Sequence, residues 1–308
     1  MNAPERETLN RFRAWQQVQG LSQTKAARLL GVSGSTLSQV YGDTYKGNLA
    51  RVVEKMTRAL ARADRQARAP KKPGFVMTSV AEEVLATLRT AHDEGVMAAV
   101  LGKSGVGKTT AVEVYAKAEP ETIRITMRPS GRKGSQGAGR PLLHRITKAM
   151  GIECPYHTSN MDLIEQVGAA LKGTGRLVII DEIDYAAEDV LQSIRMIHDI
   201  SGVGIALVGT LSFLERLRRK NTSTLNQFLN RVAYACQIDG ITEEDCDRIT
   251  ATLDLPTDAL AAARSGARGV ARRLAHGLVG AQRIARDEPS ARLNAKTLQR
   301  AFGQLLEV

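Results

Sequence analysis

The 308 residues, 43% hydrophobic and 24% charged with 27 Gly and 9 Pro, have the composition of an ordinary globular protein of about two domains, neither disordered nor collagen-like. No apolar run approaches the ~20 residues that cross a bilayer, and the N-terminus has no apolar signal core. Three cysteines without metal-ligand spacing exclude a zinc site or disulfide scaffold as organising principle, which fits a reducing, cytoplasmic setting.

The net charge of +11 is uneven. Residues 1–75 hold 14 basic and 5 acidic side chains, whereas residues 76–308 hold 29 and 27. A polyanion-binding surface is therefore expected in the first quarter of the chain, with nucleic acid ahead of membrane. Leu9, Phe12, Trp15 and Val18 recur at spacings of three and predict a first helix over 5–20 with these residues on one face. Ser22 can cap a second helix, Gln23 to Leu30, and Gly31-Val32-Ser33 supplies a tight turn with Gly31 left-handed. Ser33 or Ser35 can cap a third helix whose Leu37 and Val40 pack back. This is the pattern of a helix-turn-helix. In that arrangement Ser35, Thr36, Ser38 and Gln39 face bases or phosphates, while Lys25, Arg28 and Lys46 contact phosphates. A basic helix over 49–69 then leads into APKKPG, a linker. The domains expected are 1–69 for DNA binding, 70–78 as linker, 79–240 as an α/β core and 241–308 as a helical lid.

Residues 96–101 read as a buried strand running into Gly102-Lys103-Ser104-Gly105-Val106-Gly107-Lys108-Thr109 and a helix from Thr110. Strand, glycine-rich loop and helix in this order form a phosphate-binding loop. Backbone amides and the helix N-terminus surround the phosphates, Lys108 bridges them, and the Thr109 hydroxyl ligates Mg²⁺. The apolar strand Leu177–Ile180 ends in Asp181 and Glu182, placed to hold the Mg²⁺ shell and to polarise the attacking water respectively. Asp184 is expected to cap the next helix. A further strand, 204–209, ends at Thr210, whose hydroxyl can reach the γ-phosphate or the lytic water. With 123–126 and 233–238, five strands alternate with helices, which gives a three-layer α/β fold with a parallel sheet. Arg231, just before the last strand, is the preferred arginine finger for a neighbouring subunit, in competition with Arg216, Arg218, Arg219 and Lys220. After residue 240 only helices are expected, and Arg272, or alternatively Arg268 or Arg273, touches phosphates.

Residues 122–152 carry seven basic side chains and no acid. The glycine-rich stretch 130–140, which carries Arg132, Lys133 and Arg140 and follows Arg128, suits a loop tracking a phosphate backbone.

GKSGVGKT, the LVIIDE strand, Thr210, Arg231 and Arg272, in this order, make residues 76–308 similar to the AAA+ ATPases. With the N-terminal module in front, the whole chain resembles the MuB-like target-selecting ATPases of DNA transposition, and more distantly the TnsC and TniB regulators. The phosphate loop is specific for nucleotide triphosphatases in general. The narrower likeness lies in domain order, in IIDEID where MuB-like proteins have IIDEAD, and in the Gly269–His276 run with its Arg between Gly and His. Thr210 departs from the Asn usual there, although either side chain hydrogen-bonds. The resemblance implies ATP as the nucleotide and a helical homo-oligomer on double-stranded DNA of any sequence, with ATP sites between subunits. It also implies a DDE transposase that the protein recruits and activates and that triggers hydrolysis, and a part in target immunity. The alternatives are a replication initiator or helicase loader, an ATP-regulated transcription factor, and a secretion-linked ATPase. The first two demand a sequence-specific N-terminal module, and the last is disfavoured by the N-terminal charge.

Overall fold

The computed structural model describes residues 2–67, 70, 72–129, 139–155, 157–220, 222–253, 255–288 and 292–306. The chain divides into two units, Met1–Lys71 and Lys72–Val308. The first holds α1 (Ala3–Val18), α2 (Gln23–Leu30), α3 (Gly34–Tyr41) and α4 (Leu49–Ala67). Asn2 and Glu5 form a capping box that starts α1 two residues earlier than its apolar pattern predicts. Phe12, Leu37 and Met56 are fully buried where the four helices meet. Val18, expected on the same face, is instead 81% exposed. A three-residue spacing falls about 60° short of a full turn per step, so the third step carries Val18 to the side opposite Leu9. Ser22 accepts the Lys25 N–H at 3.3 Å and Ser33 the Thr36 N–H at 3.0 Å, capping α2 and α3. Gly31 ends α2 at φ +61°, and Lys55 of α4 donates to its carbonyl at 2.9 Å.

The second unit is built on β1 (Met97–Gly102), β2 (Ile123–Thr126), β3 (Leu177–Asp181), β4 (Gly204–Gly209) and β5 (Val232–Ile238), all parallel in the order β2-β3-β4-β1-β5. Continuous apolar runs such as LVIID suit strands covered on both faces. Alternate residues separate the two faces. Ala98, Val100, Ile179 and Val208 pack on one side with α5 (Ser79–Glu94) and α6 (Lys108–Ala118), while Met97, Leu101, Ile180 and Leu207 pack on the other. The second side is covered by α7 (Arg140–Met150), α8 (Asn160–Leu171), α9 (Glu188–Ser201), α10 (Leu211–Lys220) and α11 (Ser223–Leu229), giving three layers. No described helix is long and apolar enough to cross a membrane.

The helices after β5, here termed the lid, are α12 (Glu243–Thr250), α13 (Thr257–Ala267), α14 (Ala271–Asp287) and α15 (Ala295–Gly303). No division falls near residue 240: Leu274, Leu278 and Phe302 belong to the same apolar cluster as Val84 and Val100. Asp245 joins lid to core. Its buried carboxylate accepts the Ser79 N–H at 2.7 Å, the Ser79 hydroxyl at 2.6 Å and the Thr242 N–H at 3.0 Å. Burial pushes this carboxyl up, but hydrogen bonds from Ser79 and Thr242 outweigh it and hold the carboxyl below its ordinary value. A carboxyl lowered by folding stabilises at neutral pH, and the stabilisation is lost on acidification through the carboxylate range. Asp245→Ala leaves three donors unanswered and is expected to lower stability by about 3 kcal/mol. Urea denaturation at pH 7 checks this; the loss should shrink as the pH is lowered towards 3.

Candidate nucleotide site

The strands bring their C-terminal ends to one edge, the edge at which parallel sheets bind ligands. Here a cleft of about 320 Å³ is lined by Ser104 to Thr110, Asp181, Glu182, Asp184, Thr210 and Arg272. The loop between β1 and α6 needs glycine. Gly105 and Gly107 have φ +81° and +117°, and a Cβ on Gly105 would lie 3.1 Å from Arg272 Cβ and from Val270 Cγ1. Gly107 caps α6 without a side chain, so the first amides of that helix stay open towards the cleft, where an anion is favoured. Lys108 Nζ donates to the loop's own Gly102 and Lys103 carbonyls at 2.8 and 2.9 Å. Burial pushes its ammonium down, against the opposing pull of Asp184, Glu182 and Asp181.

Asp181, only 2% exposed, ends β3. One of its oxygens accepts the Glu182 N–H at 3.0 Å and the other faces Arg124 Nη2 at 3.3 Å. Glu182 takes a left-handed backbone, φ 58° and ψ 43°, at a conformational cost of about 1 kcal/mol or more. This bend turns the chain out of the strand and leaves the Glu182 side chain exposed in the cleft. Among the described residues no cluster of three His, Cys, Asp or Glu is arranged to hold a metal on its own. Thr109 and Asp181 offer the two oxygen ligands that suit a divalent ion sharing its shell with phosphate oxygens and water, as Mg²⁺ does.

The lid closes directly on the loop: the Arg272 N–H, in the uncapped first turn of α14, donates to the Gly105 carbonyl at 2.9 Å. Of the three competing arginines, Arg272 alone lines the cleft. Arg273 donates to the Gly266 and Leu306 carbonyls, at 2.8 and 3.2 Å, and Arg268 is exposed at the end of α13.

Asp184 departs from expectation. It does not cap α9, whose N-cap is Ala187 without a side-chain bond. It lies in the 3-10 turn Ile183–Tyr185 and accepts from Thr210 instead. The chain needs three residues more than a cap at 184 allows before α9 begins, which leaves this carboxylate at the cleft.

Arg231 is far from its own nucleotide cleft. Val232 is in register with Met97, the first residue of β1, whereas the phosphate loop follows Gly102, the last. At about 3.3 Å per residue the two ends are about 17 Å apart. Arg231 pairs there with Asp199 at 2.7 Å. Among its competitors, Arg216 donates to the Asp184 and Ala186 carbonyls, and Arg218, Arg219 and Lys220 are exposed at the end of α10.

The expected DNA contacts are dispersed. Lys25, Arg28, Ser35, Ser38 and Gln39 are exposed on α2 and α3 and Thr36 is half-buried; the Ser35 and Thr36 hydroxyls lie 2.8 Å from the capping Ser33 hydroxyl. Arg128 is exposed after β2. Arg140 donates to the Thr158 carbonyl at 2.6 Å and to Asn160 at 3.3 Å, bracing the start of α8. Arg132 and Lys133 lie outside the described residues. Arg124 and Arg145, part of the same basic run, also bond to groups of their own chain: Arg124 to Glu113 and Asp181, and the exposed Arg145 to the Thr126 carbonyl.

Sequence reasoning missed the segment Lys72–Val76, which lines the cleft together with Ile249, Ala275 and His276. Phe75, Val76, Ile249 and Ala275 give this part of the cleft apolar walls. His276 follows Arg272 by four residues on α14, so helical spacing from Arg272 was a signal for it; nothing in the linker's composition marked Phe75.

Comparison with known proteins fits this geometry. The family model described as AAA domain matches residues 91–217. The chain is 29% identical over 242 residues to the Mu-like prophage FluMu DNA transposition protein B of Haemophilus influenzae, covering 77% of this chain and 82% of that protein. It is 27% identical over 221 residues to the ATP-dependent target DNA activator B of Escherichia phage Mu, covering 71% and 69%. Among solved structures, Cdc6p from Pyrobaculum aerophilum aligns with TM-score 0.53 and 16% identity over 72% of this chain and 66% of that one. Drosophila ORC bound to DNA aligns with TM-score 0.50 and 18% identity over 72% and 58%. These two likenesses show the fold. Residues 91–217 thus match the AAA-domain model, and the chain is similar over most of its length to the B proteins of Mu-like phages.

Proposed function

We propose that this protein is an ATP-dependent DNA-binding ATPase that assembles on target DNA without strong sequence preference and delivers it to a transposase. The observation that carries the reading is the meeting of the phosphate loop, Asp181, Glu182, Thr210 and Arg272 in one cleft, in a chain similar to proteins named for DNA transposition and target DNA activation.

In this reading the amides of residues 104–109 and the Lys108 ammonium bind the β- and γ-phosphates. Thr109 and Asp181 would hold Mg²⁺, which neutralises developing charge on the phosphate oxygens when bound. Glu182 takes a hydrogen bond from the attacking water and aligns it with the γ-phosphorus. Arg272 reports nucleotide state to the lid, because its N–H is already bound to the loop. Phe75 and His276 enclose the base.

Arg231 completes a neighbour's site in trans, since its own cleft is at the other end of the sheet. Mixing tests this. Arg231→Ala keeps an intact cleft and Lys108→Ala keeps an intact Arg231, so each alone should be inactive and the mixture should regain turnover. Failure to complement rules out the in-trans role.

In the N-terminal unit, α2 and α3 act as a helix-turn-helix: Lys25 and Arg28 contact phosphates, and Ser35, Thr36, Ser38 and Gln39 lie along the groove. These short polar side chains suit weak readout, since strong discrimination uses bidentate pairs such as Arg to guanine. Arg128, with Arg132 and Lys133, adds phosphate contacts from the core. ATP-dependent helical filaments, recruitment and activation of a transposase, and a share in target immunity complete the proposal. Sedimentation and electron microscopy with random-sequence duplex DNA, with and without ATP, test it. Filaments seen only with ATP and lost in Lys108→Ala support it; closed rings, or binding to one sequence whatever the nucleotide, overturn it.

A further inference from the structure

The loop after β3 and the end of β4 meet in an arrangement that assigns a direction to one hydroxyl. Gly209, the last residue of β4, has no side chain, and a Cβ there would lie 2.6 Å from Ile183 Cγ2 and 2.9 Å from Asp184 Oδ2. The gap admits the Asp184 carboxylate. Its Oδ2 accepts the Thr210 backbone N–H at 3.0 Å, and its Oδ1 accepts the Thr210 hydroxyl. The turn carrying Asp184 is braced in turn by Arg216, which donates to the Asp184 carbonyl at 2.7 Å and to the Ala186 carbonyl at 3.1 Å. Asp184, Thr210 and Glu182 all line the nucleotide cleft.

We propose that Asp184 is a positioning residue that fixes Thr210 as a hydrogen-bond acceptor towards the cleft, so that Thr210 orients the attacking water and does not donate to the γ-phosphate. This rests on the hydrolase reading above. A hydroxyl has one proton and two lone pairs, and an ionised carboxylate offers only lone pairs. The Thr210 proton therefore points at Asp184. The Ser212 hydroxyl, 2.6 Å from Thr210 Oγ1, must then be the donor of that pair. One Thr210 lone pair remains. A γ-phosphate oxygen has no proton to give it, whereas water has two. With one water proton bonded to Glu182 and the other to Thr210, the water's own lone pair is left to face phosphorus. Thr210 takes no proton in the reaction; it only holds the water.

Asp184→Asn tests the proposal because it is nearly isosteric and reverses the direction. Its amide oxygen can still accept the Thr210 N–H, but its amide nitrogen donates to the Thr210 hydroxyl; made in a Ser212→Ala parent, where no second hydroxyl can accept the Thr210 proton, the exchange turns that proton into the cleft. The variant is expected to keep its melting temperature and to bind ATP as tightly as the parent or more tightly. Its kcat should fall about 10- to 100-fold, the range expected when a water-orienting contact is lost. Thr210→Val, which removes the acceptor but leaves the Asp184 charge, should lose kcat to the same extent, and Thr210→Ser should restore it. The double variant Asp184→Asn/Thr210→Val should be no worse than either single one, because both remove one and the same contact. Losses that multiply in the double variant would mean that Asp184 acts through its charge near Lys108, and would overturn the proposal. So would a kcat of Asp184→Asn equal to that of the parent. Absence of turnover in the parent itself would sink the hydrolase reading, whereas turnover in the parent with an unaffected Asp184→Asn variant would sink this proposal alone.

Discussion

Lys108→Ala should weaken ATP binding about 10²- to 10⁴-fold, as expected from losing two charge-assisted hydrogen bonds at about 1.5–3 kcal/mol each. The lysine already lies across the loop, bonded to the Gly102 and Lys103 carbonyls. Binding nucleotide exchanges those two weak acceptors for phosphate oxygens with little movement of the chain. The fold should survive, because burial disfavours the Lys108 ammonium and alanine removes that burden. Anisotropy of a fluorescent ATP analogue measures the affinity, and circular dichroism checks the fold. An unchanged affinity would place the triphosphate elsewhere.

Glu182→Gln should separate binding from hydrolysis. Glutamine keeps the shape and the left-handed backbone demand of the position, but cannot take a proton. ATP affinity should stay within a few-fold of the parent, while kcat drops about 10²- to 10⁴-fold, the usual worth of a general base. Single-turnover phosphate release reads the chemical step directly. The same variant should hold its ATP-dependent DNA complexes far longer than the parent, and a filter-binding chase reads that lifetime. A kcat within three-fold of the parent would move the base role to another carboxylate, with Asp184 the next in the cleft.

The core was legible because its chemistry is local in sequence. The phosphate loop must follow a strand and start a helix within a dozen residues, and the Asp181–Glu182 pair must end an apolar run, so both can be read without tertiary information. What escaped depends on which segments meet. Asp184 looked like a cap because Asp often starts helices, and only the neighbouring strand shows that Gly209 makes room for it beside Thr210. Arg124 counted only as one of seven cations in a basic run, yet the β2–β3 pairing turns it to Asp181 and Glu113. Arg140 and Arg145 misled in the same way: a basic run in sequence says nothing of which guanidinium meets a carbonyl of its own chain. The choice among Arg268, Arg272 and Arg273 was open because helical spacing separates their directions but does not say which direction holds the phosphate loop. That the helices after residue 240 share an apolar cluster with the sheet was hidden for a related reason, since their own periodicity carries no mark of it.

Arg231 at the start of β5 and the cleft beyond the end of β1 give each subunit two unlike faces. Under the in-trans role proposed for Arg231, contact between copies is head-to-tail, never two-fold symmetric. Any assembly so built has polarity. At one end the cleft faces solvent without a donated arginine; at the other an arginine has no cleft to serve. The subunit with the unserved cleft keeps its ATP longest, while interior subunits turn over. Such a polymer would age from within and stay capped by triphosphate at one tip, so that its direction along the duplex is set by chemistry and needs no asymmetry in the DNA.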